Sequence, residues 1–281
     1  MLLNNIEDIA TYIVADGKGI LAADESNPTC GKRFDSIGVE STEENRRDYR
    51  EMLFRSKGMK DNIGGVILFD ETIRQTAADG TLLRDIISNQ GALPGIKVDK
   101  GLQPIEGCDG ETVTVGLEGL DERLKEYASM GAKFTKWRAV INIGDGIPSD
   151  KSIDVNMKAL ADYAKCAQDN GMVPIVEPEV IMDGDHSIDE CYEASDRSLK
   201  SLFTHLEQNG VDIKGTLLKP NMITSGKESS EQAGINEVAK KTLDCLIKNV
   251  PAELPGVTFL SGGQSDILAT AHLDAMNKIG G

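Results

Sequence analysis

VPIVEPEV, residues 173–180, reads as a buried strand whose second half carries two acids, Glu177 and Glu179. Side chains two apart on a strand share a face, so both carboxylates point the same way. Charge inside an apolar strand is costly unless it is paired. The same pattern recurs along the chain. GTLLKPNM (215–222) sets Lys219 directly after Leu217–Leu218. KFTKWRAVI (133–141) places Lys136 and Arg138 on one face, with Trp137 on the other against a helix. GIKVDKG (95–101) carries Lys97, and GILAADES (19–26) puts Asp24 at the end of the first strand. Ser261 follows GVTFLSGG's apolar run (256–263) in the same manner.

Each apolar run, GGVILFDE (64–71) included, precedes an amphipathic helical pattern: 42–54, 81–91, 117–131, 154–171, 188–210, 234–250 and 265–279. Gly91, Gly131, Gly171 and Gly210 fall just after these patterns, where a left-handed residue closes a helix. An extra helix is expected over 6–16. The chain therefore reads as seven strand-then-helix units spaced about 30–40 residues apart, the span of a βα repeat. Repeated βα units build a parallel sheet, either open and doubly wound or closed as a (β/α)₈ barrel. An open sheet concentrates function at one switch point and leaves charges on nearly every strand hard to pair. In a barrel the C-terminal strand ends converge on one mouth. The expectation is one α/β barrel domain over 1–281, with only seven of eight units in this chain.

The 281 residues are 40% apolar and 27% charged, with net charge −16. That balance argues against a nucleic-acid partner, which needs a basic face. A small phosphorylated ligand remains compatible through a few local cations. Cys30, Cys108, Cys166, Cys191 and Cys245 are scattered and odd in number, as for free thiols in a reducing compartment. The start, MLLNNIEDIATYIVADG, has acids by residue 7 and no basic leader. No apolar run approaches membrane-spanning length. The reading is a cytoplasmic protein.

Lys97, Lys136 and Lys219, with Asp24, Glu177 and Glu179, would meet at the barrel mouth. A cluster that merely fills the mouth with salt bridges is the plain alternative, but so many paired internal charges point to a site. A lysine whose ammonium form is disfavoured by burial or neighbouring cations is a nucleophile that forms Schiff bases. The protonated imine is an electron sink for breaking a neighbouring C–C bond. Glu177 and Glu179 suit proton relay and lysine orientation. LSGGQS (260–265) offers Gly262, Gly263 and flanking serines ahead of a helix, a backbone cradle for phosphate. No HExxH, GxxxxGK[ST] or GxSxG occurs, and no GxGxxG follows the first strand, so zinc, P-loop, serine-elbow and dinucleotide chemistries lack their motifs.

Together GKGILAADES, TEENRR, GGVILF, GIKVDKG, KWR, VPIVEPE, GTLLKPNM and GVTFLSGGQS resemble the class I, Schiff-base fructose-bisphosphate aldolase family, from about residue 17 to 265. The resemblance implies reversible cleavage of fructose 1,6-bisphosphate, with Lys219 forming the imine. Glu177 would be acid and base for the carbinolamine, and Lys136 would assist it. Asp24 would take the 4-hydroxyl proton, and Glu179 would orient the lysines. Lys97, Ser26, Lys32 and Arg33 would hold the far phosphate. Thr29 stands where the family has a serine. Ser261, Gly262 and Gly263 would take the dihydroxyacetone-side phosphate, and Arg138 would line the phosphate-binding part. It further implies an eight-stranded barrel, a homotetramer, small sugar phosphates as partners, and no metal or cofactor. The family continues past NKIGG (277–281) into an eighth strand bearing a phosphate-binding arginine, followed by a tail. The alternatives are another Schiff-base aldolase, for sedoheptulose bisphosphate or transaldolase-like, and a truncated binding protein without catalysis.

Overall fold

The computed structural model describes residues 3–280. Its strands are β1 (Gly19–Ala23), β2 (Ile63–Leu68), β3 (Leu93–Lys97), β4 (Leu102–Ile105), β5 (Cys108–Thr114), β6 (Phe134–Ile141), β7 (Val173–Val180) and β8 (Leu217–Leu218). Six of them form one parallel sheet in the order β1-β2-β3-β6-β7-β8. Helices return the chain between them, as a parallel sheet requires. The four closing glycines all adopt positive φ, from +65° at Gly210 to +97° at Gly131.

The sheet curls into a part-barrel, and one contact demonstrates the curl. β1 and β6 are three places apart in the sheet, roughly 14 Å if it were flat. Yet Asp24, one residue past β1, reaches Lys136 of β6 at 2.7 Å. Only side chains meeting across a concave interior allow that.

The interior is graded from apolar to charged. Phe134, Val173, Ile175, Leu217 and Ile67 are fully buried at the N-terminal end, capped by Ile9, Ala10 and Ile13 of the helix Ile6–Ile13. Phe134 lies so close over β3 that a Cβ on Gly95 would stand 2.3 Å from its ring. Farther along the same faces come Lys136 and Arg138, Glu177 and Glu179, then Lys219. The outer face packs on the helices: Trp137 is fully buried and stacks on Tyr163 of the helix Asp150–Asp169 with ring centroids 5.4 Å apart.

Two features depart from the sequence reading. β4 and β5 form an antiparallel hairpin between β3 and the helix Leu120–Ser129, where no strands were expected. The expected seventh strand does not join the ladder. Residues 256–260 run beside β8 through a single parallel bridge, Leu218–Val257, with Thr258 N–H donating to Leu218 O at 2.8 Å. β8 is itself only two residues long, and past it Pro220 O still accepts from Leu260 N–H at 3.3 Å. The sheet thus counts six strands, not seven. β1 has no ladder partner on its second edge among the described residues. A cavity of about 610 Å³ lies between Gly17–Ile20 and Val257–Ser261, with Lys219 in its wall. Met1, Leu2 and Gly281, and with Gly281 the point where an eighth strand was expected to follow, lie outside the described residues.

Candidate active site

Strand register builds the site. β6 and β7 pair Arg138 with Glu177 and Val140 with Glu179, while β3 and β6 pair Lys97 with Lys136. Val176 pairs with Leu218, so Lys219 follows level with Glu177, and its N–H donates to Val176 O at 2.9 Å. Parallel, in-register strands bring side chains of one face side by side.

Four of the expected residues form a continuous chain. Lys219 Nζ donates to Glu177 Oε1. The other Glu177 oxygen stands 3.3 Å from Lys136 Nζ, within ion-pair range, but has no hydrogen-bond donor. Lys136 Nζ reaches Asp24 Oδ2 at 2.7 Å. All four side chains are nearly out of water, from 4% exposed at Glu177 to 13% at Asp24. Burial pushes the Asp24 carboxyl upward, but the Lys136 ammonium, with Lys219 and Lys97 behind it, outweighs burial and holds it below the usual range. Burial pulls Lys136 down, while Glu177, Asp24 and Asp99 outweigh that and hold it well above an ordinary lysine.

Glu179 departs from its expected place beside the lysines: its carboxylate accepts from Arg138 Nε. One step farther along β7 than Glu177, it lies beyond the level of Lys136, and Arg138 is the cation it meets. Lys97 ion-pairs with Asp99 at 3.3 Å. Asp99 was missed, although its spacing of two from Lys97 on an extended segment was a readable sign. Lys97, Asp99 and Ser26 line one cavity of about 620 Å³. Ser26 and Thr29 hydroxyls are 3.1 Å apart. Lys32 and Arg33 ride on the helix Asn27–Asp35 and are exposed, with Arg33 paired to Glu25 at 2.9 Å. They do not join the buried cluster.

Ser261 lines the same 610 Å³ cavity as Lys219. The turn after it takes positive φ at Gly262 (+62°) and Gly263 (+91°), and Ser261 O accepts from Gln264 N–H at 3.1 Å. Two successive left-handed residues need glycine. No described helix is long and apolar enough to cross a membrane.

Comparison with known proteins places the chain in a family. The family model for class I fructose-bisphosphate aldolase matches residues 5–281. A probable fructose-bisphosphate aldolase class 1 of Xanthomonas campestris is 53% identical over 280 residues, all of this chain and 84% of the relative. Cytosolic fructose-bisphosphate aldolase 4 of Arabidopsis thaliana is 50% identical, over 97% of this chain and 69% of its own. A solved structure of fructose-bisphosphate aldolase from Plasmodium falciparum, in complex with TRAP and a small-molecule inhibitor, superposes with a TM-score of 0.97. It is 46% identical, over 98% of this chain and 80% of that one. The chain belongs to the class I fructose-bisphosphate aldolase family.

Proposed function

We propose that the chain cleaves fructose 1,6-bisphosphate reversibly to dihydroxyacetone phosphate and glyceraldehyde 3-phosphate, through an imine on Lys219. The carrying observation is the buried run Lys219–Glu177–Lys136–Asp24. Lys219 attacks the ketone carbon, and loss of water from the carbinolamine leaves the iminium. Glu177, touching Lys219 Nζ and keeping one oxygen without a donor, delivers and removes the protons of that step. Lys136 ion-pairs with Glu177 and holds Asp24 ionised. Asp24 takes the C4 hydroxyl proton while the C3–C4 electron pair moves into the iminium, giving an enamine and the free aldehyde. Protonation of the enamine and hydrolysis return Lys219 and dihydroxyacetone phosphate. No metal is needed, because the iminium is the electrophile.

The cavity with Ser26 and Lys97 would take the far phosphate, with Thr29 completing its hydroxyl pair and Lys32 and Arg33 at its outer rim. Ser261, Gly262 and Gly263 would take the dihydroxyacetone-side phosphate. Arg138, set by Glu179, would line the approach. Residues 1–281 would act as one barrel unit. A cytoplasmic homo-oligomer, a tetramer by family, is the expected setting, with no nucleic-acid partner for so acidic a chain.

Reduction with borohydride in the presence of dihydroxyacetone phosphate tests this. Intact-mass and peptide analysis should place one adduct on Lys219, and EDTA should leave turnover unchanged. Folded protein that gains no adduct would sink the reading.

A further inference from the structure

A cation that the sequence reading did not single out stands at the glycine turn. Residues 226–228 are clamped to the loop after β7 by three backbone hydrogen bonds. Gly226 N–H donates to His186 O at 2.8 Å, Lys227 N–H to Met182 O at 2.9 Å, and Glu228 N–H to Gly184 O at 2.9 Å. The clamp is close: a Cβ on Gly226 would stand 2.2 Å from Gly184 O. The Lys227 backbone is therefore fixed. Its side chain crosses to the 261–264 turn, where a Cβ on Gly263 would stand 2.6 Å from Nζ and 2.8 Å from Cε. The ammonium packs onto Gly263.

We infer that Lys227 supplies a charge to the dihydroxyacetone-side phosphate subsite, its ammonium exchanging Asp183 for the phosphate held at Ser261–Gly263. This rests on the assignment of that turn in the proposed function. The turn's own residues, Ser261, Gly262, Gly263 and Gln264, are neutral. A phosphate dianion there needs a cation, in a chain whose net charge is −16. Two cations line the cavity with Ser261: Lys18, whose ammonium donates to Lys60 O at 2.7 Å, and Lys219, whose nitrogen is committed to the substrate carbonyl. Among the described residues, Lys227's one ion pair is to Asp183 Oδ1 at 2.6 Å. With the side chains 43% and 71% exposed, that pair is weak enough to exchange for a dianion.

The test is the dihydroxyacetone phosphate concentration that half-saturates borohydride trapping in wild type, Lys227→Gln and Lys227→Arg. Removing the charge should raise it about tenfold, the low end for a charge-assisted contact because the side chain is partly solvated. Arginine should restore most of the affinity. Unphosphorylated dihydroxyacetone should trap equally in all three, because it carries nothing for Lys227 to hold. Asp183→Asn should leave the half-saturation unchanged or lower it. Wild-type trapping with no change in Lys227→Gln overturns the inference and leaves the proposed function standing. So does an equal loss for phosphorylated and unphosphorylated ketone, or a rise in Asp183→Asn matching that of Lys227→Gln, since either would make Lys227 a structural clasp. Failure of wild type to trap at all removes the proposed function, and this inference with it.

Discussion

Replacing Lys136 with Met removes the ammonium that holds two carboxylates in the barrel interior. Lys136 is 7% exposed, with Asp24 at 2.7 Å and Glu177 at 3.3 Å. Breaking a buried ion pair from one side costs about 3–5 kcal/mol, because the remaining charge is left desolvated. Lys219 and Lys97 still act on Asp24, which sets the expectation near the low end, about 3 kcal/mol at neutral pH. The pH dependence carries the sharper signal. In wild type the depressed Asp24 pKa contributes stability above its unfolded value of about 3.9, lost as pH falls through the lower folded value. The raised Lys136 pKa contributes stability below its unfolded value of about 10.4, lost as pH climbs through the folded one. Neither group changes stability between about pH 5 and 9. In Lys136→Met the burial that opposes Asp24 ionisation is less compensated, its pKa moves up, and the cost grows as pH rises. Urea denaturation of both proteins should show a gap of about 3 kcal/mol at pH 7 that narrows towards pH 4.5. The double variant Asp24→Asn/Lys136→Met should recover part of it. A gap below about 1 kcal/mol, or one that stays constant across that range, would refute the claim that paired charge rather than packing holds this cluster.

Asp24→Asn should lower fructose 1,6-bisphosphate cleavage about a hundredfold or more while the borohydride adduct still forms, since Asp24 bonds Lys136 and not Lys219; loss of adduct and turnover together would move Asp24 out of the proton-transfer step. Gly95→Ala should cost about 1–3 kcal/mol in urea unfolding, because the new methyl meets the Phe134 ring at 2.3 Å, and Phe134→Leu in the same chain should relieve part of the cost. Ser187→Ala removes the capping box at the start of the helix Ile188–Gln208, where Ser187 and Glu190 satisfy each other's backbone N–H. It should lower stability by about 1 kcal/mol, and an unchanged midpoint would mean that packing alone sets that helix start.

The alternation of apolar runs with helical patterns, the closing glycines and the charges at strand ends made the parallel part-barrel legible, because each is a local property with a short period. Lys136 and Arg138, or Glu177 and Glu179, share a face for the same reason, as any two residues two apart on a strand must. So the face and the end of the barrel on which Lys219, Glu177, Lys136 and Asp24 gather could be read from residue order.

Which charge touches which could not, because that depends on the curl and stagger of strands far apart in the chain. Asp24 meets Lys136 across three strand positions, and Glu179 turns to Arg138 because it sits beyond the lysines' level. Asp99 was within reach of the period-two argument, whereas no local pattern brings Lys227 to Gly263, since two loops separated by 36 residues must first be clamped in place. The hairpin of β4 and β5 has weak alternation and gains its order from pairing, and the seventh strand fails to form a ladder although its residues favour one. Short-range pattern selects the elements and the faces they present. Long-range closure, which brings strand ends together in three dimensions, selects the contacts on which the chemistry depends.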